Sequence, residues 1–555
     1  MFRITSDANS PLARSVEQLA LKLPKADLST ASIGNSPNGP FKPISSVLGQ
    51  TLEQLGFKNG ELLFINYGEQ TQKQTSEDEA TKSKPFISIA SLNTKPSFIE
   101  ELAVDRELTK ETGLIPRKRS KLCRHSEKGM CEYCSPLPPW DKNYREEHNI
   151  KHSSFHAHVK ELDHSINKNQ GSSYIPPLSE FDFKIKANCP GGHEPWPKGI
   201  CSKCQPSAIT LQQQKFRMVD HLEFASSDII NSFLESWRQT GTQRIGLLYG
   251  RYEKYDKVPL GIKGVAEAIY EPPQHDENDG LTLGSPWEDE EKIDAIAKKA
   301  GLQKIGVIFT DLTDSGNSDG TVICKRHQDS FFLSSLEVIF ASKLQNKYPN
   351  YTKFSESGKF SSKFITCVIS GNIHGQIEIS PYQVSEGAQA LTSADIITGS
   401  THPSMAYINE TNDSRYVPEI FYNRINEYNL QVKVNAKPVF PVEYLLVTLS
   451  HGFPQDPNPV FKSNSFPIEN RQAAGISQDL HEVKKHLKID SANSNDVIYS
   501  LSDFHLLVYL FSLGVLSESE QDLVIRVATK HNLEDAYRLI EQPGWQTLLT
   551  IMRSS

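Results

Sequence analysis

The sequence predicts a multidomain α+β protein, and three observations carry that reading. At 555 residues the chain is longer than one hydrophobic core usually serves. From about residue 215 to 420, short apolar strands alternate with helical stretches, the pattern of a mixed sheet covered by helices. After that, apolar residues settle into a 3.6-residue period, while two tight Cys and His groups between 123 and 204 mark modules of another kind.

The first unit, 1–67, opens with a strand "MFRITS", continues with a helical stretch "ARSVEQLALKL" and closes with "SSVLGQTLEQLGFKNGELLFINY". In the closing segment Leu48, Leu52 and Leu55 keep helical spacing, "KNG" supplies a turn, and Leu62, Phe64 and Tyr67 follow in an apolar strand. The run Leu55-Gly56-Phe57-Lys58-Asn59-Gly60-Glu61-Leu62-Leu63 resembles the end of many ubiquitin-like β-grasp folds, so a ubiquitin-like (UBX-like) unit is expected there. Residues 68–115 turn polar, with "GEQTQKQTSEDEATKSK" free of any apolar period, which predicts a flexible linker. The basic stretch "IPRKRSKLCRH" reads as a solvated face. Residues 116–214 hold the two Cys/His modules, 215–425 the mixed α/β domain and 426–555 a mostly helical domain. In the last of these, Ser517 with Glu520 makes a capping box for "SESEQDLVIRVATKHN". The acidic run "WEDEEK" at 287–292 reads as a solvated helix start.

Charge and hydropathy exclude several functions. A net charge of -8 argues against a dedicated nucleic-acid binder, which needs a basic surface for phosphates. No apolar run approaches the roughly 20 residues of a membrane span, so no direct membrane insertion is expected. The start "MFRITSDANSP" lacks the features of a signal peptide, which points to the cytosol or nucleus. In such a reducing compartment clustered Cys read as metal ligands rather than disulfides, and the isolated Cys324 and Cys367 as small buried hydrophobes.

"CRHSEKGMCEYC" sets Cys123, His125, Cys131 and Cys134 in the pattern C-x-H-x5-C-x2-C. Its closing C-x2-C can aim two thiolates at one ion, and Gly129 lets the chain turn back onto it. "CPGGHEPWPKGICSKC" repeats the logic with Cys189, His193, Cys201 and Cys204 as C-x3-H-x7-C-x2-C. Four Cys and His ligands suit tetrahedral zinc and leave no position for a catalytic water, so two structural Zn2+ ions are expected. The nearby His148, His152, His156 and His158 read as surface or packing histidines, because both quartets are complete without them.

"IGVIFTDLTD", 305–314, begins as a buried strand and ends in polar residues. With "RIGLLYGRYE" and "GVAEAIYEPP" it resembles the MPN fold of metal-dependent deubiquitinating peptidases. In active members of that fold an H-x-H at this strand tip and S-x2-D on the next helix hold zinc, and an earlier Glu activates the water. Here Phe309 and Asp311 stand at the two His positions, and "SSLEVIFAS" offers Ser334, Ser335 and Glu337 without a clean S-x2-D. Glu267 or Glu271 would occupy the general-base strand, but a base without a metal-bound water has nothing to activate. Thr310 and Asp314 become ordinary strand-end polar residues, and the literal H-x-H at His156 and His158 is a chance match in polar text. No catalytic residue is assigned; a zinc-dependent deubiquitinase with other ligands is the alternative.

The most specific text is "LCRHSEKGMCEYCSPLPPWD", "KHSSFHAHV" and "HEPWPKGICSKCQPSAITLQQQKFRMVDHLEF". With the order of units, it resembles the nuclear protein localization protein 4 family over nearly the whole chain. The resemblance implies a non-enzymatic adaptor working as a heterodimer with the ubiquitin-fusion-degradation protein. Together they would bring polyubiquitinated proteins to the AAA+ unfoldase hexamer of the valosin-containing-protein type, for proteasomal and ER-associated degradation. It further implies that the ubiquitin-like unit docks on the unfoldase's N-terminal domain, the zinc knuckles rest on its ATPase ring and the MPN and tail domains engage ubiquitin. It also implies that one initiating ubiquitin is held unfolded in a groove. The implied location is cytoplasm and nucleus, peripherally at the endoplasmic reticulum and nuclear envelope. Some animal members carry a further C-x2-C pair near the C-terminus; this text does not, so their extra ubiquitin-binding finger is not expected.

Overall fold

The computed structural model describes residues 26–34, 42–43, 64–69, 99–126, 129–168, 174–186, 189, 191–284, 286–487 and 494–554. The chain divides into two units, Met1–Lys95 and Pro96–Ser555. In the first, β1 (Ala26–Gly34) pairs antiparallel with both β2 (Lys42–Pro43) and β3 (Phe64–Glu69). β3 coincides with the strand expected around Phe64 and Tyr67. β1 was not anticipated: "ADLSTASIG" lacks the clean apolar alternation that signals a strand. The expected opening strand and the two helical stretches of this unit lie outside the described residues.

The second unit is built on an eight-stranded sheet of β4 (His221–Phe224), β5 (Ile245–Tyr255), β6 (Gly261–Tyr270), β7 (Gln303–Asp311), β8 (Ile365–Gly371), β9 (Ile377–Val384), β10 (Leu446–Thr448) and β11 (Ser450–Gly452). Their spatial order is β10-β9-β8-β7-β5-β6-β4-β11. β10 and β11 are one extended stretch broken at Leu449: its first half pairs with β9 and its second with β4, so the sheet closes on itself. The Leu449 N–H donates to the Pro381 carbonyl at 3.1 Å across the join.

β7 shows how the sheet sorts its faces. Ile305 and Ile308 enter one core, with Leu222, Phe224 and the helix Ser227–Thr240, while Val307 and Phe309 enter another. A register shift between Lys304 and Gly306 accounts for the uneven spacing. Against the second core packs the helix Ser335–Lys347, whose start is fixed by a complete capping box of Ser334 and Glu337. A third core joins Tyr249 and Tyr270 of the sheet to the helices Phe504–Ser512, Glu518–Lys530 and Pro543–Ser554. The Ser517–Glu520 capping box is present as expected.

Three sequence readings need correction. Residues 99–115 are not linker: the helix α1 (Ala103–Lys110) buries Val104 and Leu108 in the core beside Leu222 and Ile262. Only two apolar residues at i, i+4 face inward, too few to register against charged neighbours. The tail does not turn helical at 426, because 431–435, 439–441, 446–448 and 450–452 are strands, with a single 3-10 turn at 442–445. Nor is the "WEDEEK" run simply solvated. Its Glu290 accepts from the nearly buried Lys304 at 2.7 Å and from Lys347 at 2.9 Å, while Trp287 stacks on Tyr270. Among the described residues, no helix is long and apolar enough to cross a membrane.

Candidate metal centres

All eight predicted ligands come together in two groups, Cys123, His125, Cys131 and Cys134, then Cys189, His193, Cys201 and Cys204. Within each group the ligand atoms lie within 4.8 Å of one another. In the first, Cys131 Sγ is 3.7 Å from Cys123 Sγ and 3.9 Å from Cys134 Sγ, and His125 Nε2 is 3.1 Å from Cys134 Sγ. In the second, Cys201 Sγ is 3.4 Å from Cys189 Sγ and 3.8 Å from Cys204 Sγ, with His193 Nε2 3.4 Å from Cys204 Sγ. A tetrahedral ion with bonds of about 2.3 Å to sulfur and about 2.0 Å to nitrogen has edges of roughly 3.8 and 3.5 Å. The donor sets therefore fit a tetrahedral ion of zinc's size, with every corner filled by protein. None of the six cysteines is in a disulfide.

The surrounding groups prepare the ligands. His125 Nδ1–H donates to the Ser126 carbonyl at 2.8 Å and His193 Nδ1–H to the Glu194 carbonyl at 2.7 Å. Each bond fixes the tautomer that leaves the Nε2 lone pair facing the thiolates. The backbone N–H of Cys131 donates to Cys134 Sγ and that of Cys201 to Cys204 Sγ, the turn expected of a C-x2-C knuckle. The Lys203 N–H, followed by Cys189, pulls the Cys201 thiol down to about 6, so that it is a thiolate at neutral pH.

Each knuckle is also anchored. Arg117 Nε donates to the Ser135 carbonyl at 2.7 Å and its guanidinium reaches the Glu132 carbonyl, while Arg119 reaches the His125 carbonyl. The basic stretch left as a solvated face is thus partly a clamp on main-chain carbonyls, which no residue pattern announces. In the second knuckle Trp196 Nε1 donates to the Asn412 carbonyl at 2.9 Å, and its ring meets Tyr416 edge-on.

Gly199 is required by close approach: a Cβ there would stand 2.5 Å from the Glu194 carbonyl oxygen and 2.8 Å from His193 Nδ1. Gly199→Ala is expected to push His193 off its line and weaken metal binding at this centre by about 10–100-fold, the usual effect of disturbing a ligand's support. Competition with a chromophoric chelator checks this, and release kinetics equal to those of the unaltered chain would contradict it.

The four other histidines stay outside both groups. His148 stacks on Tyr144, and His152 Nδ1 bonds the Gln214 carbonyl. His156 and His158 lie on the helix Phe155–Asn167. There His156 Nε2 meets Asp105 Oδ1 at 2.9 Å, both buried, and His158 stacks on Phe216. Cys367 is fully buried and Cys324 partly so.

At the tip of β7, Phe309 is buried and Asp311 accepts from Lys325 Nζ at 2.9 Å and Arg326 Nε at 2.8 Å. The same guanidinium, 5% exposed, grips Glu337 with both terminal nitrogens at 2.6 and 2.9 Å and lies over the rings of Phe309 and Phe331. An organic cation thus bridges the strand tip and the start of the next helix. Burial raises the Asp311 carboxyl, but Arg326 and Lys325 outweigh it and hold the group below the usual carboxylate value. Thr310 Oγ1 accepts the Arg244 N–H at 2.9 Å, and Asp314 caps its own turn through the Gly316 N–H. Glu271 is locked between Arg244 and Arg471, and Glu267 accepts from Arg251 and from the Val460 N–H. Both glutamates tie the sheet to the segment leading into the tail. Among the described residues, the two Cys/His quartets are the groups close enough to hold a metal.

Residues 244–553 match a family described as the NPL4 family, and residues 99–241 one described as "NPL4 family, putative zinc binding region". Curated relatives called nuclear protein localization protein 4 align along the chain. That of Candida glabrata is 53% identical over 572 residues, covering 100% of this chain and 98% of its own. That of Saccharomyces cerevisiae is 53% identical over 569 residues with the same coverage, and that of Debaryomyces hansenii 52% over 571 residues, covering 100% of both.

Proposed function

We propose, from the premise that this chain belongs to the NPL4 family, that it is a non-enzymatic adaptor carrying two structural zinc ions. With the ubiquitin-fusion-degradation protein as partner, it would recruit polyubiquitinated proteins to an AAA+ unfoldase of the valosin-containing-protein type and help to start unfolding of a ubiquitin. The observation that supports this reading is the Asp311–Arg326–Glu337 cluster, whose internal cation joins the strand tip to the next helix; on the MPN reading, that strand tip is where a peptidase would bind its catalytic metal. A guanidinium can neither activate a water as a Lewis acid nor yield its place to zinc while two carboxylates hold it. The two Cys/His centres have no open corner either, so they serve shape rather than chemistry. The ubiquitin-like reading of the first unit and the MPN reading of the second belong to the same proposal, as does a location in cytoplasm and nucleus with peripheral contact to the endoplasmic reticulum.

Incubating the purified full chain with polyubiquitin and with the unfoldase hexamer tests this. Both are expected to be retained, and ubiquitin chains are expected to stay intact. Retention of neither would end the adaptor reading. Cleavage that stops on adding a chelator would replace it with the deubiquitinase reading.

A further inference from the structure

We propose that His505 and Glu469 form a proton-operated latch, closed while the imidazole carries its second proton, that fastens the segment 460–471 to the helix Phe504–Ser512. That segment is a belt between the large sheet and the tail. Its Phe461 and Phe466 lie in the core that sheet and tail helices share, and its Arg471 grips Glu271 just past the end of β6.

Two carboxylates hold belt and helix together, and they are satisfied differently. Asp503 needs no cation: its Oδ1 accepts from the His505 and Leu506 N–H groups, and its Oδ2 from the Phe466 N–H and the Ser463 hydroxyl. Glu469 has no such support. Both its oxygens stand 2.9 Å from His505 Nδ1, and among the described residues it has no other hydrogen-bond or ion-pair partner. The His505 and Glu469 side chains are 4% and 7% exposed, so water does not stand in for the ring. A carboxylate buried in this way is stable opposite a cation and costly without one.

The charges facing His505 are Glu469 and Arg471 from the belt and Asp503 from its own helix, and Arg471 is itself held by Glu271. Burial lowers the ring's pKa, but Glu469 and then Asp503 outweigh it, against Arg471, and hold it above the ordinary 6.5. The latch is therefore complete below 6.5 and is lost as pH rises through the higher folded value. Two further histidines border the belt. His531 Nε2 meets Ser502 Oγ at 2.8 Å, and burial lowers its pKa, so it stays neutral across that window. His486 Nδ1 lies 3.4 Å from Ser465 Oγ and supplies the control.

Hydrogen exchange of the full chain at about pH 6 and about pH 9, corrected for the intrinsic pH dependence of amide exchange, tests the latch. Peptides covering 460–471 are expected to exchange at least about tenfold faster at the higher pH after correction, while β8 keeps its protection. His505→Gln can still donate a hydrogen bond but carries no charge, and it is expected to be as open at the lower pH as the parent is at the higher one. Adding Glu469→Gln removes the buried charge as well. The double variant is expected to stay protected at both pH values, and it serves as the test if the single variant does not fold. His486→Asn is expected to keep the parent's response. Protection of 460–471 that does not change with pH in the parent, a double variant that still opens at the higher pH, or a response that disappears with His486→Asn would overturn the proposal.

Discussion

Replacing Cys204 by Ser is expected to lower the metal content from two ions per chain to one and to unfold the second knuckle while the sheet stays folded. Cys204 is 1% exposed, the most buried of the eight ligands, and it contacts His193 Nε2, Cys201 Sγ and the Cys201 N–H. Around it the described residues of 189–204 add no other buried hydrophobic side chain. The fold of this module therefore rests on metal binding, worth about 10–16 kcal/mol as an apparent value for structural zinc. A serine hydroxyl is harder, shorter and protonated at neutral pH, so the three remaining ligands cannot keep that energy. Elemental analysis and limited proteolysis across the knuckle check the outcome. Fewer than two zinc ions in the unaltered chain would contradict the assignment itself. Loss of the second knuckle is also expected to leave the melting of the eight-stranded sheet unchanged and, on the proposed adaptor function, to reduce retention on the unfoldase.

Arg326→Met should destabilise the second unit by about 3–5 kcal/mol, the range for removing one partner of a buried ion pair. The substitution leaves Asp311 and Glu337, which are 21% and 23% exposed, facing each other's field without the cation between them. It also removes the donor to the Phe332 carbonyl, which holds the loop before the helix Ser335–Lys347. Urea denaturation at neutral pH measures the loss, and a change below about 1 kcal/mol would show that the cluster is solvated rather than built in. The pH dependence has a definite sign. The folded Asp311 carboxyl lies below its ordinary value of 3.8, so its contribution is complete above 3.8 and disappears as pH falls through the lower folded value. The gap between the parent chain and Arg326→Met should therefore be widest at neutral pH and narrow in strong acid. In a double-mutant cycle with Asp311→Asn, a non-additive result would assign the coupling to this pair.

The metal centres were legible because their information is local. Each quartet lies within a stretch of sequence short enough for spacing alone to specify a knuckle, and the sulfur and nitrogen separations then follow from ligand chemistry. The strand tip was half legible: Phe309 and Asp311 exclude a metal by residue type, but Arg326 becomes its substitute only through contacts 15 residues forward from Asp311 and 11 back from Glu337. Helix α1 was missed for a different reason. Its stability comes from what it docks against, with Asp105 bonded to His156 and Lys363 far along the chain, and its own two buried apolar residues are a weak signal. The strands of 446–452 were absorbed into a helical tail because "YLLVTL" is apolar throughout, and a short apolar run does not reveal its period.

By pairing with β9 through one half and with β4 through the other, the stretch 446–452 covers the Tyr382–Val384 end of β9 and the His221–Glu223 part of β4. An incoming extended chain, whether a client, a ubiquitin or a neighbouring copy, cannot add a strand at those two places. Recognition along this seam is left to side chains, with their charges, rings and amides, so its selectivity can be altered one residue at a time without disturbing the backbone beneath.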